Sequence, residues 1–433
     1  MRQVRILLAL LLALLLGACA AQEAVPQSAP EPIPTLTPGP VPTEPPSLRI
    51  VVASDWHYLS QALTDNGSLF RRIVEHGDGK LMLDIEAISE AFIEQMLDER
   101  PDAIVLTGDL SFNGEYQSLA DLAGKLSRLP EAGIPVLVLP GNHDIRRSGS
   151  YRYADESREP VPNTSAEEFR ALFEAFGRQQ ARSVDEVSGS YVWEAAAGLR
   201  LLVLDTNSAS GNLFPTESLD WLARELRDAE EAGAQVISFS HQNLLVHNPM
   251  FTFGYQISNA DAIAKLLAQY GVLANLSGHM HIQHYLDGPV PEILSSPLSL
   301  VPCRYGLLVW DGAGLTYETR SVDVSAWAQQ HGRTEEHLLH FETYAAESFY
   351  QIYYNQIAER LAGRELPEDA PERMARCFAE VNLAYFTGEP VDRERLAEEL
   401  DFWVSVLGES FETAYLRGIL EDDAPSPLRV TLR

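Results

Sequence analysis

The chain has 433 residues, 45% of them hydrophobic, and a formal net charge of −30. A chain of this length and apolar content holds one large domain with an appendage, or two ordinary domains, and is not disordered throughout. The acidic excess argues against a nucleic-acid polymer or an anionic membrane surface as a major partner, because both would repel it. The three cysteines, Cys19, Cys303 and Cys377, exclude a disulfide framework and a cysteine-rich metal site.

The first 18 residues are typical of a secretory signal. Two arginines precede an apolar run at residues 6–16, which is too short to cross about 30 Å of hydrocarbon. The tetrapeptide LGAC, which ends at Cys19, resembles a bacterial lipobox and implies cleavage before Cys19 and lipidation of that residue. Several acyl chains anchor a protein stably. We therefore expect a protein that is lipid-anchored to the bacterial cell envelope and faces outside the cytoplasmic membrane; a plain cleaved signal or an uncleaved anchor is the alternative.

Residues 19–47 are predicted to form a tether. The stretch PQSAPEPIPTLTPGPVPTEPPS contains nine prolines, with Ser, Thr and Glu between them and almost nothing apolar to bury. Such a segment is extended and semi-rigid as a free chain. A recognition role for the proline-rich run is the alternative to a spacer.

Residues 48–325 show the pattern of alternating strands and helices. The apolar segments LRIVVAS, AIVLTGDL, PVLVLPGNHD, LRLLVLDTN, QVISFSHQN and VLANLSGHMH are typical strands, and helical spacing occurs near residues 84–97, 115–126 and 216–231. This alternation predicts a largely parallel sheet with helices on its faces. Residues 58–80, rich in Gly, Asp and Asn, are expected to be a long loop that serves as a lid or substrate wall.

Five of these strands end in residues that can bind a metal. A single histidine after a strand is unremarkable, but five such ends, with glycine beside three of them, indicate one shared site. Ligands of open α/β sheets bind at the carboxyl ends of the strands. The residues concerned are Asp55 and His57, Asp109, Asn142 with His143, His241, and His279 with His281.

The order Asp-x-His, Gly-Asp, Gly-Asn-His-Asp, His, Gly-His-x-His resembles that of the calcineurin-like metallophosphoesterases, and the resemblance covers residues 48–286. It implies a two-sheet β-sandwich flanked by helices, with two metal ions bridged by Asp109 and with His143 as the catalytic histidine. The resemblance implies one ligand set of Asp55, His57, Asp109 and His281, and another of Asp109, Asn142, His241 and His279.

The residue types themselves support this chemistry. Mixed imidazole, carboxylate and amide ligands suit divalent ions such as Mn, Fe, Zn or Co. Two ions about 3.5–4 Å apart can generate a hydroxide between them and clamp both oxygens of an in-line phosphoryl displacement. His143 would protonate the leaving oxygen or stabilise developing charge. The expected reaction is therefore dinuclear metal-dependent hydrolysis of a phosphoester, and the expected partner is a small phosphoester substrate.

The residues at positions 112 and 113, shortly after Asp109, indicate which branch of this superfamily the chain resembles. Purple acid phosphatases have a metal-binding tyrosine where Phe112 stands, and protein Ser/Thr phosphatases have an orienting aspartate there, followed by an arginine where Asn113 stands. The motif set looks closer to bacterial phosphodiesterases of the cyclic-nucleotide type. His143 is left without its usual orienting acid, for which Asp144 or Asp205 is a candidate.

Candidate substrate contacts are chosen by their closeness in sequence to the predicted ligands. Asn113 follows the bridging Asp109, and Asn243 and His247 follow His241; His284 follows His281. Each is placed to reach the phosphate or the leaving group, and an ordinary loop residue is the alternative at each position.

The rest of the chain is predicted to complete the second sheet and then become helical. Two strands flank Gly312-Ala313-Gly314 as a hairpin, and residues 326–433 are mainly helical. This helical region is expected either to cap the catalytic domain or to contact a partner. Apolar stripes there are expected to be core: Leu338, Phe341, Tyr344, Ala345 and Phe349 in one, and Leu396, Leu400, Trp403 and Leu407 in the other.

Hydrolysis of a phosphodiester is the function that the motifs favour. A phosphomonoesterase or a nucleotide pyrophosphatase would use the same site. Alternatives of another class are a non-catalytic binding lipoprotein at the cell surface and a structural lipoprotein, which the intact set of seven ligands and His143 disfavours.

Overall fold

The computed structural model of the protein describes residues 47–145, 148–209, 211–424 and 427–432. The signal and nearly all of the tether expected from the sequence, with Cys19, lie outside the described residues. Within the described ranges, none of the helices has both the length and the apolar composition needed to cross a membrane. Cys303 and Cys377 are buried free thiols.

Strands and helices alternate through most of the described chain. The strands, numbered in chain order, are β1 (Leu48–Ala53), β2 (Ala103–Leu106), β3 (Val136–Val138), β4 (Tyr151–Ala154), β5 (Ser157–Pro160), β6 (Ser183–Val184), β7 (Tyr191–Ala196), β8 (Leu199–Val203), β9 (Gln235–Phe239), β10 (Asn275–Ser277), β11 (His284–Leu286), β12 (Glu292–Leu294), β13 (Arg304–Trp310), β14 (Leu315–Ser321) and β15 (Arg429–Leu432). The α-helices before residue 323 are Ser68–Glu75, Ile85–Glu99, Tyr116–Leu126, Arg128–Glu131, Ala166–Phe173, Thr216–Glu231 and Ala260–Gln269.

The strands form two large sheets and one small hairpin. The first sheet has the order β15-β14-β13-β1-β2-β3, and the second has the order β11-β12-β10-β9-β8-β7-β6. Strands β1, β2 and β3 run parallel, as do β8, β9, β10 and β12, whereas β13 and β14 pair antiparallel as the predicted hairpin. Strands β4 and β5 pair only with each other.

The alternation of side chains along β1 shows how the layers pack. Ile50 and Val52 belong to the apolar core that the first sheet shares with Phe239 and Leu276 of the second sheet. The intervening residues of β1 face the opposite layer, which contains the buried side of helix Ile85–Glu99. Because both faces of the strand are covered, it is apolar at nearly every position. The predicted two-sheet sandwich flanked by helices is confirmed.

The C-terminal helical region shares a core with the two-sheet sandwich. Met280 and Ile282 lie in the same apolar cluster as Met374, Phe378 and Trp403. In the two predicted stripes, Leu338, Phe341, Ala345, Phe349, Leu396, Leu400 and Trp403 are buried. The helices of this region are Val324–Gln330, Glu336–Leu339, Phe341–Leu361, Ala370–Thr387, Arg393–Leu407 and Phe411–Glu421.

Two elements differ from the expectation. Residues 58–80 are not an open loop, since they contain the helix Ser68–Glu75, which buries Phe70. The helical period in SLFRRIVE was obscured by the glycine and polar residues around it. Strand β15 returns to the edge of the first sheet after the helices, with Val430 and Leu432 buried and alternate residues exposed. A strand of four residues is too short to be recognised from its hydrophobic periodicity alone.

Candidate metal centre

The topology brings the five predicted strand ends to one edge of the sandwich. Strands β1, β2 and β3 are neighbours in the first sheet, and β9 and β10 are neighbours in the second. Because these strands are parallel within each sheet, the residues that follow them emerge together. The residues carried there are Asp55, His57, Asp109, Asn142, His143, His241, His279 and His281.

The first group of possible ligands consists of Asp55, His57, Asp109 and His281, with one donor atom of each within 4.8 Å of the others. The Nε2 atoms of His57 and His281 are 3.1 Å apart. His281 Nε2 also lies 3.3 Å from Asp55 Oδ1, and His57 Nε2 lies 3.9 Å from Asp109 Oδ2. Two carboxylates and two imidazoles therefore point at one position.

The second group consists of Asp109, His241 and His279. His241 Nε2 lies 3.3 Å from Asp109 Oδ1 and 3.0 Å from Asn142 Oδ1. Asp109 thus belongs to both groups and offers a different oxygen to each, Oδ2 toward His57 and Oδ1 toward His241. A shared carboxylate of this kind is what the bridging role predicted for Asp109 requires.

The hydrogen bonds around the imidazoles show that the donor set fits divalent cations. His241 Nδ1 is 2.9 Å from the Thr107 carbonyl oxygen and His279 Nε2 is 2.9 Å from that of Gly254, so these nitrogens carry the protons. Nε2 of His241 then faces the acceptor oxygen of Asn142 at 3.0 Å. Two lone pairs at that distance would repel each other, so either a proton on Nε2 or a cation must lie between the two atoms. Orientation of each ligand imidazole by a hydrogen bond on its other nitrogen is typical of metal sites.

Left-handed backbone conformations turn these side chains inward. Asp55, His57 and Asp109 have φ of 50°, and His279 and His281 have φ of 69° and 58°. Such values are uncommon for non-glycine residues, cost of order 1–3 kcal/mol each and cluster at functional sites. The surrounding packing must therefore hold these five residues in place.

Two of the glycines beside the predicted ligands are required because other parts of the site lie too close to them for a side chain to fit. A Cβ atom at Gly141 would overlap the carboxylate and backbone nitrogen of Asp109, and one at Gly278 would overlap the side chains of Ser54 and Asp55. The glycines beside the ligands therefore allow one strand end to lie against the carboxylate of another.

The buried charges of the site shift one another's pKa. Burial alone would raise the pKa of Asp109, but His241 and His143 beside it hold that pKa well below its usual range. Burial would lower the pKa of His241, whereas Asp109 raises it to about 9. Burial, followed by the charge of His241, lowers the pKa of His279 to about 3. Without a metal the site keeps a proton on His241 beside an ionised Asp109, and a bound cation would displace that proton.

His143 is oriented by a backbone carbonyl group. Its Nδ1 lies 2.7 Å from the carbonyl oxygen of Phe112, and its backbone N–H donates to Asp109 Oδ1 at 2.7 Å. Asp144 and Asp205 were the two candidates for the acid that orients His143, but both accept hydrogen bonds from backbone amides instead. Asp144 accepts from the N–H groups of Ser111 and Gly141, and Asp205 accepts from those of Asn207 and Ser208. A main-chain partner leaves no trace in the residue types, so sequence patterns do not reveal it.

The predicted substrate contacts form hydrogen bonds with other groups of the protein. The Asn243 amide donates to Ser277 Oγ and the Gly278 carbonyl, both at 3.1 Å. His247 and His284 are buried, with their Nδ1 atoms 2.8 Å apart. The outer nitrogens of that pair face the carboxylates of Glu292 at 3.2 Å and Asp422 at 2.7 Å.

Asn113 is half-buried, and its backbone carbonyl accepts from Ser150 Oγ at 2.7 Å. Asn113, Asn243, His247 and His284 are all absent from the lining of the cavity that contains the predicted ligands. The expectation that these four residues contact substrate has no support in this geometry. Closeness in sequence to a ligand does not determine the direction in which a side chain points.

A cavity of about 520 Å³ opens over the centre. Asp109, Asn142, His143, His279 and His281 line one side of it. Its other lining residues include eight aromatic ones, which belong to the C-terminal helical region and to the loop after β9. The lining residues that sequence patterns did not single out are Asp78, Lys80, Phe251, Gly254, Tyr255, Met280, Ile282, Tyr353, Gln356, Ile357, Arg360, Phe378, Asn382, Tyr385, Phe386, Phe411 and Tyr415.

An α/β sandwich with a shared-carboxylate Asp/His centre at its strand ends is suited to metal-dependent hydrolysis. The family model described as calcineurin-like phosphoesterase matches residues 48–283, which is more than half of the chain. The chain belongs to this family, and it is a metal-dependent phosphoesterase. A second model, described as the C-terminal domain of cyclic nucleotide phosphodiesterase, matches residues 323–425.

Solved structures that match this chain share little sequence with it. A dimetal phosphatase from Danio rerio is 15% identical, with a TM-score of 0.45, and the match covers 63% of this chain and 96% of that one. The protein TT1561 of Thermus thermophilus is 17% identical, with a TM-score of 0.37, and the match covers 64% of this chain and 100% of that one. At these scores the likenesses carry no information about the substrate.

Proposed function

We propose that this protein hydrolyses phosphodiesters with the help of two divalent metal ions. The observation that carries the proposal is the cavity of about 520 Å³, which is lined both by the Asp/His centre and by aromatic side chains. These aromatic side chains, called the aromatic wall, are Phe251, Tyr255, Tyr353, Phe378, Tyr385, Phe386, Phe411 and Tyr415. A phosphate monoester carries only one organic substituent. A diester has a second substituent, and the wall supplies apolar area against which that substituent can be buried.

Each ion has its own set of proposed ligands. One set is Asp55, His57, Asp109 and His281, and the other is Asp109, Asn142, His241 and His279. The imidazole, carboxylate and amide donors suit Mn, Fe, Zn or Co. When bound, such ions act as Lewis acids on the phosphoryl oxygens and lower the pKa of water to near neutrality.

His143 is the proposed catalytic acid. Its Nδ1–H is held by the carbonyl oxygen of Phe112 at 2.7 Å, so Nε2 is the nitrogen that gains or gives a proton in the reaction. The imidazole lines the cavity beside Asp109 and Asn142. In its protonated form, His143 can donate from Nε2 to the oxygen of the leaving group as the phosphoester bond breaks.

The aromatic wall suggests the nature of the second substituent. Tyr353, Phe378, Tyr385, Phe411 and Tyr415 all line the cavity and come from the helical region. Planar rings stack well against aromatic side chains, with each pair contributing about 0.5–1.5 kcal/mol beyond burial. The match of residues 323–425 to the C-terminal domain of cyclic nucleotide phosphodiesterase supports a substrate with a nucleobase-like ring.

We expect the full-length protein with Mn²⁺ to prefer diesters. The value of kcat/KM for bis-(4-nitrophenyl) phosphate should exceed that for 4-nitrophenyl phosphate by about tenfold or more, equivalent to about 1.4 kcal/mol in the barrier. Cyclic nucleotides, nucleotide diphosphate esters and nucleotide-linked lipids complete the panel. Faster hydrolysis of the monoester would make the protein a phosphomonoesterase, and a preference for diphosphate esters a nucleotide pyrophosphatase. Metal binding without turnover of any substrate would make it a binding protein.

A matched pair of variants connects this preference to the wall. Phe411 is 55% exposed and lines the cavity, so Phe411→Ala should raise KM for the aryl diester more than KM for the monoester. Phe253, which is 98% exposed and not among the lining residues, provides the control Phe253→Ala. Equal effects of the two substitutions on the diester would remove the role proposed for the wall.

We also propose that the enzyme is anchored by a lipid on Cys19 and acts outside the cytoplasmic membrane. The support is the sequence LGAC after a charged and apolar leader, followed by the proline-rich residues 19–47 as a tether. Such an anchor would make the membrane a partner through lipid alone. The net charge of −30 disfavours binding to nucleic-acid polymers.

Cys19→Ser tests the anchor. We expect the variant to leave the membrane fraction, or to accumulate with its leader uncleaved, because serine cannot form the thioether to lipid. Immunoblots of fractionated cells measure both location and size, and Cys303→Ser provides the control for loss of a thiol. A Cys19→Ser protein that is processed normally and stays in the membrane fraction would show that the anchor is of another kind.

A further inference from the structure

A short turn, residues 77–80, lies between the metal centre and the helical region. On one side, Asp78 Oδ2 is 3.3 Å from Nδ1 of His281. On the other, the hydroxyl group of Tyr353 donates to the Asp78 carbonyl oxygen at 3.2 Å, and the Gln356 amide donates to the Gly77 carbonyl oxygen at 2.7 Å. Both donors belong to the long helix Phe341–Leu361. One turn thus contacts a predicted ligand and a helix from a distant part of the chain.

The turn is also packed tightly against that helix. Gly79 has a φ of 88°, and a Cβ atom added to it would approach the Phe349 ring to 2.6 Å. Phe349 is fully buried. Only glycine satisfies both the left-handed backbone and the lack of space at this position. The position of Asp78 therefore depends on the helix Phe341–Leu361 and not on its own segment alone.

The partner of His281 differs in kind from the partners of the other imidazoles. His241 and His279 donate to the carbonyl oxygens of Thr107 and Gly254. Within the described residues, Nδ1 of His57 is buried without a hydrogen-bond partner. Asp78 thus supplies a carboxylate where those imidazoles have a carbonyl oxygen or no partner. A carboxylate that accepts a hydrogen bond from the remote nitrogen fixes the tautomer of the imidazole. It also makes the metal-facing nitrogen more basic, and therefore a stronger metal ligand.

We propose that Asp78 is a positioning residue for His281, and that the helical region holds it in place through Tyr353 and Gln356. The C-terminal region would then set the affinity of one of the two metal positions, the one that includes His281, and leave the other unchanged. This inference rests on the proposed function for the existence of two metal positions. It gives the helical region a role in the metal centre as well as in the cavity wall.

The ion pair with Lys80 restricts how the turn is tested. Lys80 Nζ binds Asp78 Oδ2, the same oxygen that contacts His281, and the Lys80 side chain is 10% exposed. Removal of Asp78 alone would leave this lysine beside His281 without its partner. The double variant Asp78→Asn/Lys80→Gln therefore separates the loss of the carboxylate from the gain of an unpaired cation.

The experiment is Mn²⁺ titration of the full-length apoprotein by calorimetry. For Asp78→Asn, alone and with Lys80→Gln, we expect one of the two binding steps to weaken by about 10–100-fold. Asp78→Glu should restore part of that loss because it keeps a carboxylate. Glu75→Gln removes the same charge from the exposed end of the neighbouring helix and should change neither step. Thermal unfolding of each variant shows that the fold is kept.

A second variant tests the link to the helix. Tyr353→Phe keeps the ring and removes only the hydroxyl group that donates to the Asp78 carbonyl, so it should weaken the same binding step by a smaller factor. Two unchanged binding steps in Asp78→Asn/Lys80→Gln would overturn the role of Asp78. An unchanged step in Tyr353→Phe beside a weakened one in Asp78→Asn would overturn the role of the helix. A wild-type protein that binds fewer than two ions would instead contradict the proposed function.

Discussion

Asp109→Asn is expected to abolish hydrolysis and to lower the bound metal at both positions. Asp109 is the carboxylate common to both groups of possible ligands, with Oδ2 toward His57 and Oδ1 toward His241. The amide keeps the shape but loses the charge and one acceptor oxygen. Ions of this kind contribute several kcal/mol to the transition state, and about 1.4 kcal/mol corresponds to a factor of ten in rate. A loss of about 10³-fold or more follows.

The substitution is mild enough for the fold to survive it. The backbone N–H of His143 donates to Asp109 Oδ1 at 2.7 Å, and the side-chain oxygen of asparagine can accept the same bond. Metal content is measured by mass spectrometry on purified protein, and Asp98→Asn on the exposed face of helix Ile85–Glu99 serves as the control. Full activity with two retained ions in Asp109→Asn would overturn the assignment of the bridge.

His143→Ala should separate proton transfer from metal binding. The imidazole lies beside the ligands, with its ring centroid 4.8 Å from that of His57, but belongs to neither group. Metal content should therefore stay near the wild-type value. If Nε2 protonates the leaving oxygen, the rate should fall by about 10²–10⁴-fold for an alkoxide leaving group and much less for a nitrophenolate, which departs readily as an anion.

The comparison between leaving groups identifies the role. Equal losses for the alkoxide and the nitrophenolate would instead mean that His143 stabilises charge on the phosphoryl oxygens. Loss of metal together with activity would make His143 a ligand. His331→Ala supplies the control, since this histidine of the helical region pairs with Glu94 of helix Ile85–Glu99 at 2.7 Å and is absent from the cavity lining.

The strand ends were predictable because two local signals coincide there. An apolar run that stops at glycine, as in residues 103–108, marks both a buried strand and a tight turn, and Asp109 comes directly after it. Parallel topology then brings such ends together. The helix Thr216–Glu231 was predicted at its observed bounds because its apolar spacing is regular and turn residues flank it.

The substrate side of the cavity was not predictable in the same way. Tyr353 and Phe378 lie on helices whose apolar residues recur at helical spacing whether they face a core or a cavity. Their distance along the chain from Asp109 gives no sign that they face it. His247 and His284 illustrate the converse, because both follow predicted ligands closely in sequence but turn toward the carboxylates of Glu292 and Asp422.

Strand β15 changes how the helical region can move. It pairs antiparallel with β14, from Leu315 opposite Leu432 to Glu318 opposite Arg429, so the helices occupy the connection between two adjacent strands. In topological terms, the helical region is an insertion whose two ends connect to neighbouring strands, β14 and β15, at one edge of the sheet. A hinge at only one of these two connections cannot move the region away from the cavity. A chain that ends at residue 325 would lose an edge strand as well as the helices. Loss of the region together with β15 would leave β14 paired with β13 on one side only, and its outer backbone groups would be open to association.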